Sequence, residues 1–296
     1  MAKDWETPQM ARGKGFAWSR LVIYGLLGFF ALVYLLPVVV MLLTSFKSLP
    51  EIYAGNIVSL PKQWTVEPWI DAWERACVGL SCNGIKGYFW NSTKMTVLAV
   101  TLSTMIGLLN GYVLTKWKFK GADLLFGLML FGCFIPFQIV LIPMAAFLGK
   151  IGIASSTTGL VFVHVVYGLC FTTLYARNYY IAFPDELIKA AMIDGARFFS
   201  IFWRIMLPSS APIIVVTVIW QFTNIWNDFL FGASFSTGES APMTVALNNI
   251  VNTSTGERPY NVHMAAAMFA ALPTLLVYIF GGRYFVRGLM AGSVKG

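Results

Sequence analysis

Apolar residues along the chain form six long runs, which polar segments separate. The runs cover about residues 21–43, 92–115, 124–148, 159–181, 211–231 and 262–282. A helix that crosses the ~30 Å hydrocarbon layer of a bilayer needs roughly 20 apolar residues, and each run meets that length. The third run contains Pro136 and Pro143, so we expect a broken or kinked helix there. The pattern predicts an all-α integral membrane protein with six transmembrane helices.

Composition agrees with a membrane protein and removes other classes. The chain of 296 residues is 57% hydrophobic and 11% charged, with a mean hydropathy of +0.69, whereas soluble domains carry about 25% charged residues. The net charge of +8 does not indicate nucleic-acid binding, because the basic residues are scattered in short loops. The first run is longer than the ~7–15 apolar residues of a signal peptide, so we expect it to be retained.

Lysine and arginine predict the orientation. If the runs alternate in direction, 14 of the 21 Lys and Arg residues fall on the side that holds both termini. Cytoplasmic loops carry such an excess, so both termini and residues 185–208 are expected in the cytoplasm. The predicted divisions are a cytoplasmic tail (1–20), a first transmembrane helix (21–43), a periplasmic loop (44–91), a five-helix core (92–282) that includes residues 184–208, and a cytoplasmic tail (283–296).

Two outer loops, at about residues 45–91 and 232–261, are long. The first carries four tryptophans: Trp64, Trp69, Trp73 and Trp90. They predict either an interfacial belt at headgroup level or a docking surface. Cys77 and Cys82 lie in the same loop. An oxidising outer compartment permits a disulfide between them, and two free thiols are the alternative.

Residues 185–208, with the sequence DELIKAAMIDGARFFSIFWRIMLP, form a polar segment between two apolar runs. Asp185 and Glu186 suit the positive end of a helix dipole, and Asp194-Gly195 predicts a turn. A second, aromatic helix follows and ends at Pro208. We expect a helix–turn–helix along the membrane surface. Its role is either contact with a soluble partner or that of an amphipathic connector in the headgroups.

Part of this segment resembles the cytoplasmic loop of ABC-importer permeases. In that family the pattern reads Glu-Ala-Ala, three residues, Gly, nine residues, Ile, one residue, Leu-Pro. The matching residues at the same spacing are Ala190, Ala191, Gly195, Ile205, Leu207 and Pro208. The resemblance implies a coupling helix that docks on the ATP-hydrolysing subunit. The residues that it assigns to this contact are Glu186, Lys189, Ala190, Ala191, Asp194, Gly195 and Ala196.

Lys189 departs from the family pattern, because it stands where the family has Glu. The departure puts in doubt any salt bridge that the Glu makes with the partner. Glu186 lies one turn earlier and is a candidate to replace it.

Two further segments extend the resemblance to the sugar branch of the family. The sequence WNDFLFG at 226–232 resembles the end of the fifth span in carbohydrate permeases. The last residues, 283–296, resemble the tail of the maltose-transporter permease that inserts between the ATPase subunits, with candidate contacts at Gly288, Ala291, Gly292 and Lys295. The outer loop that ends in ERPYNVH is most similar to permeases of glucose or mannose uptake systems from Gram-negative bacteria.

The sequence shows no motif for ATP hydrolysis or for another catalytic activity. It has no phosphate-binding loop of the form G-x-x-x-x-G-K-[ST], so the resemblance implies that a partner ATPase binds ATP and Mg²⁺. His164 and His263 lack acidic or Cys neighbours at ligand spacing, and we expect each to make a helix–helix hydrogen bond. No catalytic residue, metal ligand or cofactor site is predicted.

Polar residues near the end of the fifth run predict a translocation path. Gln221, Asn224 and Asp228 follow helical spacing and are expected on one face, flanked by Trp220 and Asn227. Such residues supply the hydrogen bonds and ring contacts that sugars use. Interhelical hydrogen bonding, with Asp228 at the outer interface, is the alternative.

The function that follows is that of a multi-pass permease subunit in the bacterial inner membrane. The resemblance implies a second homologous permease, a dimer of ATP-binding subunits and a periplasmic sugar-binding protein as partners, and a sugar, such as glucose or mannose, as cargo. A stand-alone secondary carrier or channel is the alternative. It would leave residues 185–208 unexplained.

Overall fold

A computed structural model describes residues 18–55, 58–117, 119–253 and 258–293, and only the backbone of residues 19, 253 and 283–293. This part of the chain is helical, apart from an isolated bridge between Val78 and Ser81. Three short helical turns of other types occur at Asp71–Arg75, Phe202–Met206 and Gly238–Ser240. The α-helices in chain order are α1 (Trp18–Ser45), α2 (Leu49–Ala54), α3 (Glu67–Ile70), α4 (Lys86–Lys116), α5 (Ala122–Phe134), α6 (Phe137–Lys150), α7 (Thr157–Ile181), α8 (Asp185–Ile193), α9 (Phe198–Ile201), α10 (Leu207–Ser209), α11 (Ala211–Trp226), α12 (Leu230–Phe235), α13 (Met243–Thr253) and α14 (Tyr260–Ser293).

The six apolar runs correspond to four long helices and two bent pairs. Among the described residues, α1, α4, α7 and α14 are each long and apolar enough to cross a membrane. The third run is a pair, α5 and α6, that meets at 102°, and the fifth run is the second half of a pair bent by 77°. The predicted break in the third run is confirmed. It falls at Ile135-Pro136, whereas Pro143 lies inside α6.

Close packing of α4 against α7 forms the centre of the fold. A Cβ atom at Gly111 would lie 2.6 Å from Ala176 Cβ and 2.8 Å from the Arg177 backbone nitrogen. A Cβ atom at Gly107 would be equally close to atoms of Thr172. The Thr172 hydroxyl donates to the backbone oxygen of Ser103 at 2.9 Å. Small residues at i and i+4 let helix backbones approach in membranes. Neither helix contains a proline, so both continue without a break.

The residues around the start of α4 and around α13 form an apolar core of their own. Cys77 and Cys82 are joined by a disulfide that closes a short hairpin. Trp69 lies 5.0 Å from the Phe269 ring and Trp73 lies 5.1 Å from it, so these two tryptophans pack inside the protein. The belt interpretation therefore remains open only for the two exposed tryptophans, Trp64 and Trp90.

Candidate coupling site and translocation face

The segment after α7 is a helix–turn–helix, as predicted. Helix α8 follows Pro184 and carries Asp185 and Glu186 in its first turn. Its last turn closes with two backbone bonds, from Ala196 N to Ala191 O at 2.9 Å and from Gly195 N to Met192 O at 3.0 Å. Gly195 has φ +83°, a left-handed conformation that favours glycine at this helix-ending motif. The chain then enters α9.

Only one side of α8 is buried. Ile188 is 4% exposed and packs with Ala191 and Ala196 in an apolar cluster at the end of α4 and α7. The opposite side is solvent-exposed and carries Glu186, Lys189, Ala190, Asp194 and Gly195. Of the seven residues assigned to a partner contact, five are therefore accessible, while Ala191 and Ala196 hold α8 in place.

Sequence reasoning missed the apolar part of the exposed surface. Ile193 is 85% exposed, Leu187 51% and Met192 41%. The spacing signal was available for Ile193, which lies far around the helix from Ile188, whereas Met192 follows Ile188 by one turn on the same face. We call the exposed residues between Glu186 and Gly195 the coupling surface: Glu186, Leu187, Lys189, Ala190, Met192, Ile193, Asp194 and Gly195.

The residues that follow the turn are hydrogen-bonded to α4 and α7. The hydroxyl of Tyr112 in α4 donates to the Phe198 backbone oxygen at 3.2 Å. Tyr180 in α7 shares a 2.7 Å hydrogen bond with Ser210 Oγ, and Tyr179 donates to the Ser209 backbone oxygen at 2.7 Å. These bonds hold the aromatic half of the segment against α4 and α7.

A further contact that the sequence did not reveal lies at the start of α8. Lys116, the last residue of α4, places Nζ 2.6 Å from Asp185 Oδ1 and 2.6 Å from the Phe183 backbone oxygen. Its side chain is only 5% exposed. No local spacing signal identifies a pair that lies 69 residues apart in the chain.

The predicted polar face of the fifth run is divided in the structure, because α11 ends at Trp226. Gln221 is 2% exposed and donates to Ser103 Oγ at 2.7 Å, which is an interhelical bond between α11 and α4. Asn224 and Asn227 are exposed, and each donates to a backbone oxygen one turn earlier at 2.8 Å; Asn227 also lies 3.5 Å from Thr274 Oγ1 in α14. Trp220 lies 4.7 Å from the Phe171 ring. The accessible polar residues of this face are therefore the two asparagines.

Asp228 does not share a helix face with Gln221 and Asn224, so that expectation was wrong. It lies in the turn after α11, where its carboxylate accepts from the backbone N–H of Gly232 at 3.1 Å. Thr244 Oγ1 donates to its backbone oxygen at 2.6 Å. A carboxylate at the start of a helix satisfies N–H groups that the helix leaves without partners. Asp228 therefore holds α12 and α13 in place.

The two histidines are buried, and no described group of three or more His, Cys, Asp or Glu side chains is arranged to hold a metal ion. His164 Nε2 lies 3.8 Å from Asp228 Oδ2, which is longer than the helix–helix hydrogen bond that was expected. In the C-terminal segment, the backbone of α14 continues through Gly288, Ala291 and Gly292. Lys295 lies outside the described residues.

The architecture is that of a multi-pass membrane permease with a surface helix between two spans. Residues 99–290 match the family model "Binding-protein-dependent transport system inner membrane component". The chain belongs to this family of ABC-importer permeases. It is therefore a transport subunit without an ATPase site of its own, and a partner subunit hydrolyses ATP. Membership in the family removes the stand-alone carrier as an alternative.

Individual relatives agree with the family. The chain is 31% identical over 291 residues to the "Xylose/arabinose import permease protein XacI" of Haloferax volcanii, with 91% of this chain and 92% of that protein covered. It is 44% identical over 173 residues to a "Probable ABC transporter permease protein" of Pyrococcus horikoshii, and this match covers 58% of this chain and 62% of that protein.

A solved structure shares the fold. It is a bacterial ABC transporter involved in the import of the acidic polysaccharide alginate, with a TM-score of 0.79 at 20% identity. The match covers 94% of this chain and 100% of that chain. It supports the type I importer permease fold that the resemblance implied.

Proposed function

We propose that this chain forms half of the translocation path of a carbohydrate importer and that the coupling surface on α8 binds an ATP-binding subunit. The observation that carries the proposal is the exposed apolar part of this surface, above all Ile193 at 85% exposure. Helix α8 is already held by Ile188, so Ile193 is not needed for packing within the chain. Exposed apolar residues rimmed by polar ones are typical of a protein–protein contact.

The proposed cargo is a monosaccharide such as glucose or mannose. The outer loop of this chain resembles permeases of such systems, and the name of the Haloferax volcanii relative gives two monosaccharides as its cargo. The accessible asparagines and Trp220 offer the hydrogen bonds and the ring surface that sugars use. A periplasmic sugar-binding protein is expected to deliver the sugar, since the family is binding-protein-dependent.

The proposed orientation places the partners of the importer on the two sides of the membrane. The coupling surface faces the cytoplasm of a bacterium, with both termini on the same side of the inner membrane, as the distribution of basic residues favours. A second homologous permease and a dimer of ATP-binding subunits complete the importer. The residues at Gly288, Ala291, Gly292 and Lys295 are proposed to contact this dimer. The hairpin at Cys77–Cys82 then lies in the oxidising periplasm, which suits a disulfide.

Reconstitution tests the function. The complete importer, placed in proteoliposomes with ATP inside, is expected to take up glucose or mannose only when the binding protein is outside. ATP hydrolysis is expected to rise when the sugar-loaded binding protein is added. Uptake by this chain alone, without ATP, would refute the proposal. The complex could instead take up neither sugar while its ATPase responds to a binding protein loaded with a different molecule. That result would refute only the proposed identity of the cargo.

Replacement of Asn224 by Leu is expected to lower sugar uptake about ten-fold or more, because a site that hydrogen-bonds a hydroxyl loses this binding energy. Its amide donates to the Trp220 backbone oxygen of its own helix, so the substitution should preserve packing between helices. Initial uptake rates in proteoliposomes measure the effect. Thr101→Leu, at an exposed position of α4, is the control for a lost polar group. Equal rates for Asn224→Leu and wild type would remove Asn224 from the path.

A further inference from the structure

The start of α8 is fixed to α4 by one buried charge. Lys116 Nζ lies 2.6 Å from a carboxylate oxygen of Asp185 and 2.6 Å from the backbone oxygen of Phe183. An ammonium group has three donors, and these contacts use two. Removal of a charge from water is costly unless it is paired and hydrogen-bonded. The Lys116 side chain is 5% exposed, so water cannot readily replace its two acceptors. The loss of either acceptor would leave the buried charge poorly solvated, and both are therefore held at this position.

We infer that Lys116 is a positioning residue for energy coupling: it joins the first turn of α8 to the end of α4, so that an ATP-binding subunit that displaces α8 also displaces α4. The inference rests on the proposed function, since it takes the coupling surface as the site on which that subunit acts. It adds a named residue that carries the displacement into a membrane-crossing helix.

The apolar contacts of α8 do not supply the same constraint. Ile188 and Ala191 pack against apolar side chains, and such packing has no preferred direction. It keeps α8 attached but permits rotation about the cluster. The Lys116 contacts are directional, because a charge-assisted hydrogen bond is short and depends on geometry. They reach the chain on both sides of Pro184, and so they fix the point from which α8 departs.

A second ion pair at the same end provides a matched control. Arg177 in α7 lies 3.6 Å from Asp123 at the start of α5, and the Asp123 side chain is 97% exposed. Water screens the exposed carboxylate, so this pair is expected to contribute little, roughly 0–1 kcal/mol. The pair joins α7 to α5 and lines the same cavity as Lys116 and Asp185, but Asp123 is not one of the two acceptors of Lys116. Loss of Asp123 therefore changes the charge at this end of the bundle without release of the start of α8.

The experiment compares four variants in the complete importer: Lys116→Met, Asp185→Asn, Lys116→Arg and Asp123→Asn. The measured quantity is the number of sugar molecules taken up per ATP hydrolysed, with the sugar, glucose or mannose, that the wild-type importer accepts. Lys116→Met is expected to lower this ratio about five-fold or more, the usual size of a coupling between two sites. Asp185→Asn should lower it less, because the bond to Phe183 remains. Lys116→Arg should recover most of the ratio, and Asp123→Asn should equal wild type.

A purely structural role would reduce the amount of assembled importer and leave the ratio unchanged. The inference is overturned if assembled Lys116→Met and Asp185→Asn importers keep the wild-type ratio, or if Asp123→Asn lowers it as much. If Lys116→Met does not assemble, Asp185→Asn decides, since that side chain is 62% exposed. A wild-type importer without ATP-dependent uptake would refute the proposed function itself. A coupled wild-type importer with unchanged variants would refute only the role of Lys116.

Discussion

A leucine in place of Gly111 is expected to destabilise the membrane domain and to lower its folded yield. The Cβ atom alone would lie 2.6 Å from Ala176 Cβ and 2.8 Å from two backbone atoms of α7. These atoms cannot rotate away, so α4 and α7 would have to separate. Overpacking of this kind costs about 1–3 kcal/mol, and 3 kcal/mol lowers the ratio of folded to unfolded protein on the order of a hundred-fold. The separation would also disturb the bond from Thr172 to the Ser103 backbone.

The measurement is the yield of monodisperse protein after detergent extraction, together with its thermal unfolding. Gly25→Leu is the control, because Gly25 lies in α1 with no other atom within 4 Å of a Cβ at that position. It should extract like wild type. A normal yield and unchanged unfolding for Gly111→Leu would show that the contact between α4 and α7 is looser than the structure has it.

An aspartate in place of Ile193 is expected to separate the permease from its ATP-binding subunit while the permease itself stays folded. Ile193 is 85% exposed, and surface substitutions usually change stability by less than about 0.5 kcal/mol. In the assembled importer the same side chain would be an interface anchor, and loss of an anchor typically costs about 2 kcal/mol or more. That cost corresponds to roughly 30-fold weaker association.

Titration of purified permease complex with the ATP-binding subunit measures this loss as a change in Kd. Leu60→Asp provides the control, since Leu60 is 70% exposed and lies in the long loop between α2 and α3. The control should bind with wild-type affinity. Undiminished affinity of Ile193→Asp would mean that the ATP-binding subunit contacts a different surface, and the assignment of the coupling surface would then be wrong.

The sequence was informative about local structure. Runs of apolar residues predicted the four long apolar helices and fell on both bent pairs, since a span has a length that the bilayer sets. The turn at Asp194-Gly195 was predicted because few residues other than glycine readily adopt φ +83°. The predicted break in the third run was also correct, since Pro136 disfavours a helical backbone at Ile135, although α6 continues through Pro143.

What could not be predicted depends on contacts between distant parts of the chain. Gln221 matched both a sugar-binding and an interhelical role until Ser103, 118 residues away, was found 2.7 Å from its amide. Asp228 fitted helical spacing, but α11 stops two residues before it and its carboxylate serves α12 instead. Lys116 looked like one more basic residue on the cytoplasmic side. A spacing rule describes one helix at a time, and these roles arise where two helices meet.

The uninterrupted course of α4 has a mechanical consequence. With 31 residues the helix is about 46 Å long, which exceeds the ~30 Å hydrocarbon layer. At its other end Asn91 donates to the Glu239 backbone oxygen at 2.5 Å, and Ser92 accepts from the Met243 backbone N–H at 2.7 Å, where α13 begins. A tilt of α4 by about 10° would move one end roughly 8 Å relative to the other. If an ATP-binding subunit displaces α8 as proposed, the continuous helix would act as a lever between Lys116 and the residues around α13, without a relay of smaller rearrangements.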